Sequence, residues 1–102
     1  MVIEMKSRVS LTIPNELLRS LDELARRKKM NRSELLNESV KLGVRELVVR
    51  FALEQYERGS ISVGRAAETA GMGLAEFLEE MQKRGVSQRY YLDSLIEELE
   101  DK

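Results

Sequence analysis

Two residue types that carry much of protein chemistry are missing from this 102-residue chain, which has no cysteine and no histidine. Without cysteine there are no disulfides and no thiolate nucleophile; without histidine the commonest general base and a usual zinc ligand are gone. An enzyme built from this inventory would rest on carboxylates alone, and the acidic residues stand beside lysines and arginines at the spacings of solvated helix faces. These absences predict a protein that is not an enzyme and holds neither cofactor nor metal. No apolar run approaches the length of a bilayer span, and the opening MVIEMKSR lacks the apolar stretch of a secretory signal. No membrane partner is expected, and the expected location is cytoplasmic. Low-complexity segments and tandem repeats are absent as well.

The chain does have a hydrophobic share of 42% and a charged share of 34%, the composition of a folded, soluble protein. Its length suits one ordinary domain, or two very small ones that borrow core from a partner, which already points to an oligomer. The net charge of −1 conceals a division. Residues 1–43 hold nine Lys/Arg against six Asp/Glu, +3, whereas residues 44–102 hold eight against twelve, −4. A basic front half suits a polyanion and an acidic rear half does not, so the halves are expected to serve different partners.

One segment reads as a strand, Ser7-Arg8-Val9-Ser10-Leu11-Thr12-Ile13, alternating polar and apolar and rich in β-branched residues. Pro14 and Asn15 then open a helix with an apolar stripe at Leu17, Leu18, Leu21, Leu24 and Ala25. The basic run Arg26–Lys29 complements the helix dipole, and the helix should end near Met30. Asn31 with Glu34 three residues on is a capping-box pattern, and Leu35, Leu36, Val40 and Leu42 continue a second helix towards Gly43, which is either a break or a mere thinning. Val44, Leu47, Val48 and Phe51 mark a third helical stretch ending at Arg58-Gly59. Ser62 is placed to cap a helix carrying Val63, Ala66, Ala67 and Ala70 on one face; Gly71 ends it, and Leu74, Phe77, Leu78 and Met81 repeat the spacing before Gly85. These two short helices make a helix-turn-helix-like corner. Leu92, Leu95, Ile96 and Leu99 suggest a last amphipathic helix, against which Tyr90 and Tyr91 could pack.

A lone strand leaves its backbone donors and acceptors unpaired, so the second strand must come from another molecule. Two copies lying antiparallel about a two-fold axis would form a ribbon, with Val9, Leu11 and Ile13 turned to the helices and Arg8, Ser10 and Thr12 turned outward. Such a ribbon has the width to enter the major groove of double-stranded DNA, and its outward residues suit base edges. The stretch RVSLTIPNELLRSLDELARRKKMNRSELLNESVKLGV resembles the ribbon-helix-helix family of repressors and antitoxins. The resemblance implies a homodimer in which Arg8, Ser10 and Thr12 read bases, and in which the second helix's start, Asn31-Arg32-Ser33, clamps a phosphate. An anion at a helix N-terminus also fits the backbone N–H groups exposed there.

The rear stretch ALEQYERGSISVGRAAETAGMGLAEFLEEMQKRGV looks like a small uncharacterised prokaryotic family through Tyr56, Gly59, Ile61, Ser62, Ala66, Ala67, Ala70 and Gly71. That resemblance implies an antitoxin whose partner is a PIN-domain ribonuclease. The expected fold is therefore mainly α: a ribbon-helix-helix unit, residues 1–43, whose one strand pairs across a dimer, followed by a helical module, residues 44–102. The expected function is a transcriptional repressor, the antitoxin of a toxin-antitoxin pair acting on its own operon. The alternatives are a stand-alone regulator and an interaction adaptor that does not bind DNA. A second DNA reader at the helix-turn-helix corner is disfavoured by Glu76, Glu79 and Glu80. Phe77, Leu78 and Met81, or the stripe at Leu92–Leu99, are the candidate anchors for a protein partner if the dimer core does not consume them.

Overall fold

The chain's single proline sets where the first helix starts: Pro14 lies at φ −56° and ψ 141°, and its carbonyl accepts the N–H of Leu18 at 3.0 Å. The computed structural model describes residues 5–86, so the helix expected around Leu92–Leu99 and the packing of Tyr90 and Tyr91 lie outside the described residues. Helix α1 is Asn15–Lys28, α2 is Arg32–Glu57, α3 is Val63–Ala70 and α4 is Leu74–Lys83. The architecture is mainly α.

Each helix ends in the same pair of hydrogen bonds, the outer N–H reaching back five residues and the inner one three. Met30 donates to Ala25 and Lys29 to Arg26 after α1; Ser60 to Gln55 and Gly59 to Tyr56 after α2; Met72 to Ala67 and Gly71 to Glu68 after α3; Val86 to Met81 and Gly85 to Gln82 after α4. The pattern requires a left-handed residue, which costs glycine nothing. Gly59, Gly71 and Gly85 supply it, but α1 places Lys29 there at φ 56°. The starts are capped as the sequence indicates at two points: Asn31 Oδ1 accepts the N–H of Glu34 at 2.8 Å, and Ser62 Oγ accepts that of Arg65 at 3.1 Å.

Gly43 thins the second helix without breaking it. Helix α2 runs unbroken for 26 residues, about 39 Å at the usual rise. One glycine costs a helix interior about 1 kcal/mol, which the burial of Val49, Ala52, Leu53 and Tyr56 of the same helix outweighs.

The chain divides into two compact units, Met1–Ser39 and Val40–Lys102. In the second, Val49, Ala52, Leu53 and Tyr56 of α2 pack with Val63, Ala66 and Ala67 of α3 and with Phe77 and Met81 of α4. Ile61, Ala70, Met72, Leu78 and Val86 close the edges of this core. Phe77 and Met81 are fully buried and Leu78 packs partly buried against them, so these residues are taken up by their own unit and are not free anchors, while Leu74 of the same stripe stays exposed. The stripe Val44, Leu47, Val48 and Phe51 is helical as expected but lies on the exposed side of α2, because the core uses the opposite side. Among the described residues of the first unit only Ala25 of α1 and Leu35 of α2 are buried, while Leu17 and Leu24 of the α1 stripe remain exposed.

Candidate nucleic-acid interface

The residues expected to read bases precede α1. Arg8, Ser10 and Thr12 are all exposed, in a segment with neither helix nor ladder. The expected strand pairing is not formed among the described residues, for the physical reason that suggested it: the chain offers no second strand, and a ladder needs two. The apolar alternates confirm how incomplete the segment is by itself, with Val9 86% and Leu11 62% exposed.

The residues expected at phosphate gather at the start of α2. Asn31 and Glu34 cap each other, the Asn31 N–H donating to Glu34 Oε1 at 3.4 Å. Asn31 is thus first a helix cap. The carbonyl of Asn31 accepts the N–H of Leu35, which leaves the N–H groups of Arg32 and Ser33 as the turn's donors without an intrahelical acceptor. Arg32 itself is held by Asp22 of α1, its Nε and Nη2 donating to the two carboxylate oxygens at 2.9 and 2.7 Å. This bidentate pair pulls the Asp22 carboxyl below its usual range, first through the hydrogen bond from Arg32 and then through its charge, and raises Arg32 correspondingly. Ser33 is exposed beside it. No hydrogen bond or ion pair joins this group to Arg8, Ser10 or Thr12 among the described residues.

Asp22 is the residue the sequence does not reveal, since ten positions separate it from Arg32 and only the turn at Lys29–Asn31 brings the two helices face to face. The basic run is also partly engaged. Arg26 and Arg27 both donate to Glu23 Oε1, at 2.6 and 3.1 Å, and hold that carboxyl low, whereas Lys28 and Lys29 form no ion pair among the described residues. In the rear unit the principal charge cluster is different in kind. Arg84, at the end of α4, donates to both oxygens of Glu46 at 2.7 and 2.8 Å and to Glu80 at 2.9 Å, and Arg50 joins Glu46 at 2.8 Å. That cluster ties α2 to α4 and is internally matched, so it offers little to a polyanion.

Among the described residues no group of acidic, cysteine or histidine side chains is arranged to hold a metal ion, and no helix is long and apolar enough to cross a membrane. An exposed alternating segment, a basic helical turn and a capped helix start define the class of the front part. Residues 7–57 match the family model described as ribbon-helix-helix protein, copG family, which points to a DNA-binding regulator and a dimer. Residues 33–102 match a second model, and the chain belongs to the uncharacterised protein family UPF0175. The two matches share residues 33–57, nearly the whole of α2.

Similar proteins are described in the same terms. A UPF0175 protein of Aeropyrum pernix is 41% identical over 54 residues, covering 53% of this chain and 68% of that one. One of Archaeoglobus fulgidus is 36% identical over 55 residues, covering 54% and 63%. A third, of Halobacterium salinarum, is 42% identical over 41 residues, covering 40% and 42%. The chain thus spans between 42% and 68% of the length of these relatives. No solved structure matches the chain.

Proposed function

We propose that the protein is a homodimeric transcriptional repressor in which residues 1–43 pair and grip double-stranded DNA, and residues 44–102 serve a protein partner. The observation that carries this reading is the wetted segment before α1: alternate residues Val9 and Leu11 lie open to water in one chain, and a second copy of the same strand would cover them. In that ribbon Arg8, Ser10 and Thr12 face base edges, while Arg32, Ser33 and the N–H groups of the first turn of α2 meet a phosphate. Arg32 retains donors beyond those given to Asp22, so the pair orients the guanidinium without exhausting it.

Titration of a labelled duplex at several salt concentrations tests the reading, with a steep fall in affinity as salt rises expected. Arg8→Ala should lose roughly 1–3 kcal/mol of discrimination between operator and random duplex. Arg32→Ala should weaken both alike and flatten the salt slope by about one phosphate contact. Identical losses for the two variants on both duplexes would refute the division of roles, and absence of salt-dependent binding would leave only an adaptor.

The antitoxin reading concerns the rear half. Its support is the acidic balance of residues 44–102, which suits a nuclease surface built to attract RNA, such as that of a PIN-domain ribonuclease. Co-expression with the product of the neighbouring reading frame should yield a complex that survives gel filtration at moderate salt. A rear half that leaves every such product unbound makes the protein a stand-alone regulator.

A further inference from the structure

The rear half of α2 has more apolar surface than the described residues of its own unit bury. Val49, Ala52, Leu53 and Tyr56 enter the core, and on the opposite side Val40, Val44, Leu47, Val48 and Phe51 form a second stripe at helical spacing. Val44, Leu47 and Phe51 are 54%, 61% and 54% exposed; at helical spacing the intervening Arg45 and Glu46 fall on other sides of α2, while Lys41 and Arg50 flank the stripe. Gly43 borders this stripe, and a Cβ built there would meet nothing within 4 Å. Packing among the described residues therefore gives no reason for a glycine in mid-helix, where it weakens the helix. A reason exists if another backbone approaches closely.

We propose that the stripe from Val40 to Phe51 is a dimer seam belonging to the rear unit, covered by the same stripe of a second copy. It rests on the dimeric reading above and extends it, because the ribbon before α1 requires two copies but says nothing of residues beyond Ser39. The same copy is the occupant favoured here. The ribbon-helix-helix match, which points to a dimer, runs on to residue 57 and takes in the whole stripe. An apolar stripe with charges only at its edges can meet its own image without like charges opposing at its centre, as an isologous contact demands. Gly43 at its border lets two helix axes come closer than a side chain would permit.

The absence of native cysteine makes the test direct, since one introduced thiol can pair only with the same residue of another copy. Val44→Cys and Leu47→Cys, in the middle of the stripe, should oxidise to covalent dimers readily, because a disulfide forms only where Cα atoms come within about 7 Å. Arg65→Cys, exposed on α3, should not. Leu47→Asp removes nothing from the core of its own unit and should raise the dimer dissociation constant in sedimentation by roughly 30-fold or more. Gly43→Leu improves helix propensity and should nevertheless weaken the dimer. Slow cross-linking at Val44 and Leu47 together with an unaffected Leu47→Asp dimer would overturn the seam and assign the stripe to residues 87–102 of the same chain or to a different protein. Equally fast cross-linking at Arg65→Cys would overturn it too. Cross-linking at Val44 and Leu47 in a chain without affinity for duplex DNA would uphold the seam while removing the regulator reading.

Discussion

The two units of this chain bury their hydrophobic residues to very different extents. Among the described residues, Val40–Lys102 closes a core from three helices around fully buried Tyr56, Val63, Phe77 and Met81, whereas Met1–Ser39 buries only Ala25 and Leu35 and leaves Val9, Leu11, Leu17 and Leu24 wet. Apolar burial is the main stabilising term in folding, so the rear unit has what a chain needs to fold alone and the front unit does not. The difference separates intrinsic stability from stability that depends on concentration: the front unit's missing core must come from association.

The strongest way to break that contrast is to cut into each core. Phe77→Ala should cost about 3–5 kcal/mol and leave the dimer dissociation constant unchanged if the rear core is self-contained. Leu35→Ala should cost about 2–5 kcal/mol and also raise that constant, because the front core is completed by association. Calorimetry for the cost and sedimentation for the constant decide, and a dimer weakened as much by Phe77→Ala as by Leu35→Ala would erase the distinction.

A smaller effect sharpens the comparison within the rear unit. Ser62 Oγ accepts the Arg65 N–H at the start of α3, so Ser62→Ala should cost about 1 kcal/mol, read as a lowered urea midpoint with unchanged slope. An unchanged midpoint would mean that water caps this short helix equally well.

The smallest effect is that of pH. Arg84 first, and Arg50 second, hold the Glu46 carboxyl down to about 2. A carboxyl whose folded pKa lies below its unfolded value, about 4.3, contributes fully above pH 4.5 and loses its contribution as pH falls towards 2. Urea midpoints should therefore differ between the wild type and Glu46→Gln by a constant amount above pH 5, and converge by pH 2. Curves that stay parallel to pH 2 would show that the pair adds nothing, as exposed pairs often do.

The same contrast governs how much of the molecule is legible in its sequence. Asn31, Ser62, Gly59, Gly71 and Gly85 announce helix ends through local hydrogen bonds, which depend on a few adjacent residues, and each stands where its residue type predicts. What depends on distant packing is less readable. Gly43 lies between two apolar stretches and only tertiary context decides that the helix continues. The Val44–Phe51 stripe reads correctly as helix, yet α2 is apolar on two sides there, and periodicity does not say which of them meets the core. Phe77 and Met81 look like spare anchors until α2 and α3 are known to need them. The alternation from Ser7 to Ile13 is plain in the sequence, while its partner is a second molecule. Asp22, which sets the environment of Arg32, is hidden because the contact spans two helices.

Lys29 bears a further consequence. It adopts the left-handed turn that glycine serves after the other three helices, and a side chain there costs about 1 kcal/mol. The connection between α1 and α2 thus holds stability in reserve, which Lys29→Gly would release. The same exchange would delete one of the two lysines of the basic run that form no ion pair among the described residues, shortly before the cap at Asn31. An engineer seeking a hardier version of this protein would meet a conflict at one residue, since the change that relaxes the backbone also thins the positive field offered to a polyanion.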